Sequence, residues 1–369
     1  MSEVAQSFNF KQFIRRNGAW IGLLVLTAVL VFMTDGGFLA PRNITNLLRQ
    51  TAINGVLAAG MTLVILTGGI DLSIGSIVAL AGVAAGIAQV NWGWSDNGIS
   101  GALLTVLLAV GVGTAAGFIN GGLVAMLGIP PFVITLGMMV IARGLALILT
   151  DGSGISPMGA SLRPIGEDYL SAKLTIATVT VLLGLLIWKN RKTLLDAALP
   201  LVTFGFLSYA FITYKGFPVP VLFLVGCMVA TGLLLTHTTL GRCIYAIGSN
   251  EQAAYWAGVP VKKVKWFVYA ALGVFSGLAG VLLSARLNSA VPTAGNLFEL
   301  DAIAAVVIGG TSLKGGSGSI MGAFVGALTI ATLNNGMDLL SVPSFYQMVF
   351  KGLIIILAVS LDRGQRQGS

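Results

Sequence analysis

The chain reads as an all-α, polytopic membrane bundle of about 10–12 spans. Three observations predict this class. Of the 369 residues, 56% are hydrophobic and only 9% charged, against about 25% charged in soluble domains. Long charge-free runs recur, and about 20 apolar residues match a hydrocarbon core of about 30 Å. The 21 Lys and Arg cluster in a few segments, so the net charge of +8 is accounted for by basic residues gathering in cytoplasmic loops and does not call for nucleic acid. Cys227 and Cys243 are too few and badly placed for a disulfide framework or a metal site. No metal and no cofactor are expected.

Met1–Asn17 is polar and ends in Lys11, Arg15 and Arg16, which hold the N-terminus in the cytoplasm. Gly18–Thr34 is the first span, and Asp35–Leu48 the loop that follows it outside. Gln50–Ile70 and Leu72–Ser95 each carry no charge, with Asp71 between them. Asn97–Ala142 is broken at Gly128-Ile129-Pro130-Pro131. Proline lacks the N–H that would continue a helix, so two spans are expected there. Arg143 follows near the far end of the second, and Asp151–Lys173 is a polar outer loop.

Leu174–Trp188 and Leu194–Tyr214 form a possible additional helical pair, with Lys189-Asn190-Arg191-Lys192 marking a cytoplasmic turn and Asp196 just beyond it. Phe217–Leu235 returns inward, and Trp266–Leu287 leaves again with Arg286 near its outer end. The last runs are Ala302–Leu313, Gly315–Met337 and Ser344–Leu361, with Arg363 and Arg366 closing the chain in the cytoplasm. The tally is twelve crossings. Ala302–Leu313 would rise only about 18 Å as a helix, so a broken or re-entrant segment is the alternative there. On this count 13 of the 21 basic residues face inside, five outside, and three lie within spans. All 369 residues then form one membrane domain.

Two regions share a pattern. Val64–Leu80 (VILTGGIDLSIGSIVAL) and Val306–Gly322 (VVIGGTSLKGGSGSIMG) both run from apolar residues through Gly-Gly and a polar patch to Gly-Ser-Ile. Asn120-Gly121 before Pro130-Pro131-Phe132 is echoed by Asn335-Gly336 before Pro343-Ser344-Phe345. Glycine-interrupted segments at matching positions point to a transport path, because broken helices free backbone groups to face a polar cavity.

Gly241–Lys265 (GRCIYAIGSNEQAAYWAGVPVKKVK) is the longest polar interruption in the C-terminal half. Ser249 followed by Gln252 has the spacing of a capping box, and Gly258 suits a left-handed helix end. A helix of about eight residues, roughly 12 Å long, is expected between them. By composition alone this stretch is a solvated loop between two spans.

Gly60–Ser76 (GMTLVILTGGIDLSIGS), Gly241–Val261 and Phe298–Ser319 (FELDAIAAVVIGGTSLKGGSGS) together make the chain resemble the membrane-spanning permease subunit of ribose-, xylose- and arabinose-type sugar ABC importers. The additional helical pair places it nearest the xylose-type branch. The resemblance implies a path for a monosaccharide across the bacterial inner membrane, a separate cytoplasmic ATPase, a periplasmic sugar-binding protein, and a permease homodimer. It also implies that residues 241–265 are the coupling loop seated in the ATPase, with Gly241, Arg242, Ser249, Asn250, Glu251, Ala253, Ala254 and Gly258 at the contact. The general signature there is Glu-Ala-Ala followed by Gly. Here Glu251 stands two residues before Ala253, which leaves the role of Glu251 open.

Candidates for the path are Gly68, Gly69, Asp71, Ser73, Gly75, Ser76, Asn120, Gly309, Gly310 and Asn335, with Glu299 and Asp301 at an outer mouth. Ionisable residues at membrane depth are costly and mark function by default. Asp71 has two readings: its carboxylate accepts sugar hydroxyls, or it caps a half-helix N-terminus. Asn120, Asn334 and Asn335 either line the path or bond between helices. Arg143, Arg286 and Lys351 near span ends are expected to snorkel. His237 stands alone, so no Ser–His–Asp set can be built. Gly309–Gly315 lacks the Lys-Ser/Thr pair and Gly spacing of a phosphate-binding loop, so the chain is expected not to be an enzyme. An ion-coupled secondary transporter using Asp71 is the competing reading.

Overall fold

In the computed structural model, residues 10–190, 202, 205 and 208–367 are described. Helix α1 covers Phe10–Met33, α2 Pro41–Leu66, α3 Ile74–Gly86 with a π-turn through Asn91, α4 Gly98–Leu127 and α5 Pro131–Ile148. A single-turn α6 (Pro164–Glu167) precedes α7 (Ala172–Asn190). Then follow α8 (Val219–His237), α9 (Thr239–Ser249), α10 (Glu251–Trp256), α11 (Val261–Leu287), α12 (Phe298–Ile308), α13 (Ile320–Leu339) and α14 (Ser344–Gln367).

Among the described residues, seven helices are long and apolar enough to cross a membrane, against the twelve crossings of the sequence tally. Part of the difference lies outside the described residues. Positions 1–9 and most of 191–207 fall there, including Arg191, Lys192, Asp196 and much of the second member of the 174–214 pair. Other expected spans are short: the apolar parts of α1 (Gly18–Met33) and α7 (Ala172–Val181), and the eleven-residue α12. The 35–48 loop is shorter than expected, because Pro41 occupies the first position of α2, where its fixed φ suits a helix and its missing N–H costs nothing. Arg49 then sits on the helix and donates to the Glu167 carbonyl, its guanidinium 4.4 Å from the Tyr169 ring centroid.

The core is organised on α2. It is buried along 89% of its apolar stretch, whereas α5 is buried along only 17%. An all-round apolar helix is either central or lipid-facing, and here α2 is central while α5 turns most of its surface outward. α11 crosses α4 at backbone contact. A Cβ on Gly113 would stand 2.3 Å from the Gly273 carbonyl oxygen, and one on Gly277 2.6 Å from that of Ala109. Such small-residue contacts let membrane helices pack through dispersion where no hydrophobic drive separates protein from lipid.

Two chain breaks shape the interior. α2 stops at Leu66 and α3 starts at Ile74; α12 stops at Ile308 and α13 starts at Ile320. The run expected over Gly315–Met337 therefore begins five residues late, where the Ser319 hydroxyl accepts from Gly322 N at 3.0 Å. The short Ala302–Leu313 run is the eleven-residue helix α12, buried throughout most of its length. It does not start at the bundle's end: Gly295 and Glu299 lie against Gly75, the second residue of α3. The two Gly-Gly stretches thus both become breaks. The downstream echo is out of register, because α3 and α4 separate Gly-Ser-Ile from Asn-Gly in the first copy and α13 alone does so in the second.

Candidate functional site

α9 and α10 form a hairpin at the end of the bundle where α2 stops and α11 begins. Thr238 caps α9, accepting from Gly241 N at 3.1 Å. Ile244 and Ile247 face inward on α9, while Arg242 is exposed. The capping-box expectation is corrected here. The Ser249 hydroxyl bonds back to the Tyr245 carbonyl (2.9 Å), and Asn250 is the cap of α10, its Oδ1 accepting from Ala253 N at 2.9 Å. The cause is that α9 runs to Ser249, so the only residue with non-helical backbone between the two helices is Asn250.

α10 is six residues long, shorter than expected, and Gly258 (φ +82°) ends the turn behind it. Ala254 is buried beneath α10; Ala253, Tyr255 and Trp256 face outward, the two aromatics 68% and 76% exposed. Glu251 Oε1 meets Lys265 Nζ at 2.7 Å, tying α10 to the first turns of α11. The stretch Gly241–Lys265 is therefore mostly helix rather than loop.

Directly behind the hairpin the two breaks meet. Gly316 N donates to the Leu66 carbonyl (3.0 Å), and Tyr245 Oη donates to the Gly318 carbonyl (3.0 Å). Gly248 is wedged between them, since a Cβ there would stand 1.8 Å from Leu66 O and 2.3 Å from Gly316 N. Gly68 and Gly310 turn the chain at φ +78° and +86°, conformations that favour glycine. Gly309 packs on Gly322 of α13.

The first break leads to a buried polar cluster. Asp71 Oδ1 accepts from Ser73 N (2.7 Å) and Ser73 Oγ (2.6 Å), just ahead of α3. Asn120 of α4 donates to Ser73 Oγ (2.9 Å) and Asp71 Oδ2 (3.3 Å). All three residues are at most 1% exposed, and Ser76 is also buried. The carboxylate takes its donors from Ser73, the residue just before α3, and from Asn120; this is a local turn around Ser73 and not a bond to a helical N–H of α3. Tyr269 of α11 lies against Gly69, and its hydroxyl has no partner among the described residues. Nor has Asn120 Oδ1.

Asn335 does not join this cluster. It exchanges two 2.9 Å bonds with Asn43 of α2. Asp301, expected at an outer mouth, is 3% exposed, with Lys351 Nζ at 3.0 Å and Asn334 Nδ2 at 3.3 Å. An unpaired charge in hydrocarbon is expensive, so Lys351 turns inward to the carboxylate instead of snorkelling. Arg143 likewise donates to the carbonyls of Pro292 (2.6 Å) and Ala294 (2.8 Å), pinning the segment before α12. Arg286 reaches Asn46 Oδ1 at 3.3 Å. Tyr269 is absent from the sequence-based candidates, and Asp301 and Lys351 are among them singly but not as a pair. The available signal for Tyr269 was the single tyrosine in the apolar run 266–287.

A family model described as "Branched-chain amino acid transport system / permease component" matches residues 43–359. The chain is 40% identical to the xylose transport system permease protein XylH of Haemophilus influenzae, over 94% of this chain and 96% of that protein. It is 38% identical to XylH of Escherichia coli, over 95% and 93%, and 41% identical to the ribose import permease protein RbsC of Bacillus subtilis, over 96% and 95%. No solved structure matches the chain. Full-length identity to these permeases, on a helical bundle with paired glycine breaks beneath a capped hairpin, places the chain in the family of membrane-spanning permease subunits of xylose- and ribose-type sugar ABC importers.

Proposed function

We propose that the chain carries a pentose, xylose or ribose, across the bacterial inner membrane, driven by a cytoplasmic ATPase and supplied by a periplasmic binding protein. Both termini and the α9–α10 hairpin lie in the cytoplasm, and two copies of the chain stand on the ATPase. Tyr255 and Trp256 enter the ATPase groove. Asp71, Ser73 and Asn120 line the path with Gly68, Gly69, Gly75, Gly309 and Gly310.

One observation carries this reading: Gly248 at the end of α9 touches both helix breaks at once. A hairpin moved by the ATPase cannot tilt without displacing Leu66 and Gly316, and so the openings of both broken helices. The motion is a rigid-body shift of a short lever against two flexible joints. The second reading, ion coupling through Asp71, has less support, because that carboxylate already has three donors.

The test is reconstitution of the chain with its ATPase and binding protein in liposomes. Uptake of labelled xylose or ribose is expected to require ATP and both partners, and Glu251→Lys or Gly258→Pro is expected to abolish it while the protein still inserts. Gradient-driven uptake by the chain alone overturns the reading.

A further inference from the structure

The hairpin end holds a pocket of about 380 Å³ walled by Gly69, Asn250, Glu251, Lys265, Tyr269 and Lys314. Sites for small ligands begin at about 300 Å³. These walls come from the first break, α10, α11 and the second break, so the pocket sits where the proposed lever meets its joints. Tyr269 is 1% exposed and carries the unpartnered hydroxyl. A buried polar group without a hydrogen bond is costly, a cost that an entering hydroxyl removes.

The chemistry of the wall favours a neutral polyol. Lys265 is already neutralised by Glu251 at 2.7 Å, while among the described residues Lys314 has no carboxylate within ion-pair reach. Residues with donors (the Tyr269 hydroxyl and the Lys314 ammonium) and residues with acceptors (the Glu251 carboxylate and Asn250 Oδ1) therefore line one pocket. A sugar hydroxyl both donates and accepts, so it answers both kinds. A phosphate carries negative charge and would meet the Glu251 carboxylate with like charge. Val124 and Pro131 add an apolar patch suited to the C–H face of a sugar ring.

We infer that this pocket is a monosaccharide site on the cytoplasmic side, the last station before release, with the Tyr269 hydroxyl and Lys314 as its selecting groups. The inference rests on the function proposed above. A sugar held there lies between α10 and both breaks, so product accumulating inside the cell opposes the movement of the hairpin.

The experiment is saturation-transfer NMR of D-xylose and D-ribose on the permease–ATPase complex in nanodiscs. Saturable binding in the millimolar range is expected, weakened about threefold to tenfold by Tyr269→Phe and by Lys314→Gln, the usual net value of one hydrogen bond. Absence of saturable sugar binding to the unmodified complex overturns the inference. So does unchanged affinity in both variants, or displacement of the sugar by inorganic phosphate at equal concentration. ATP-driven uptake by the same preparation separates the two ideas. Failed uptake strikes the proposed function, whereas normal uptake without sugar at this pocket removes the site alone.

Discussion

Gly316 donates its amide to the carbonyl of Leu66 across 3.0 Å, joining two helix breaks that lie 250 residues apart in the chain. The bond is backbone to backbone, and the close approach depends on glycine at Gly248, Gly315 and Gly316. The free carbonyls at the end of α2 thereby find a donor without water, as a helix end buried in a membrane bundle requires.

Gly248→Ala is expected to uncouple the importer. Its Cβ would overlap Leu66 O and Gly316 N, both backbone atoms that cannot rotate away. Overpacking of this kind costs about 1–3 kcal/mol. The expected result is ATPase activity retained with transport reduced at least several-fold, measured as sugar moved per ATP hydrolysed. Unchanged stoichiometry would show that the wedge does not transmit motion.

Asn250→Ala removes the cap of α10 and is expected to cost about 1 kcal/mol of local helix stability. Association with the ATPase should weaken by up to about tenfold. Ser249→Ala should leave it within twofold, because Ser249 bonds back into α9. Co-purification across a dilution series distinguishes the two, and an equal effect of both changes would contradict the assignment of Asn250.

Lys351→Met leaves the Asp301 carboxylate buried without its partner. Breaking a buried pair costs about 3–5 kcal/mol, whereas replacing both members by apolar groups is often nearly neutral. Thermal unfolding in detergent should fall sharply for Lys351→Met and largely recover in Lys351→Met with Asp301→Leu. A single variant as stable as the parent would show that the pair contributes nothing.

Asp71→Asn turns an acceptor into a donor facing Asn120 Nδ2 or Ser73. The expected loss is about 1–3 kcal/mol. Asn120→Asp on that background restores a donor–acceptor pair, so the double variant should be more stable than the sum of its parts predicts, a coupling read by a double-mutant cycle. Strict additivity would place the two residues in separate networks.

The class, the family and the positions of the breaks were legible in the chain itself. Composition and charge-free runs specify a helical membrane protein, since only closed hydrogen-bonded structures survive in hydrocarbon. Proline and glycine mark where helices stop for local steric reasons, so the Pro130-Pro131 turn and the two Gly-Gly stretches were readable as punctuation, whereas the helix start at Pro41 lay inside the expected loop. Which helices are central was not readable. Lipid and protein interior are equally apolar, so length and apolarity mark both α2 and α5 as able to span without telling that one is buried and the other faces outward. The same holds for Lys351. A cation near a span end has the same spacing whether it reaches the interface or an inward carboxylate, and only the packing of α14 against α12 brings Asp301 within 3.0 Å. The pocket around Tyr269 arises in the same way, from segments distant in sequence whose meeting depends on helix packing and not on any local pattern.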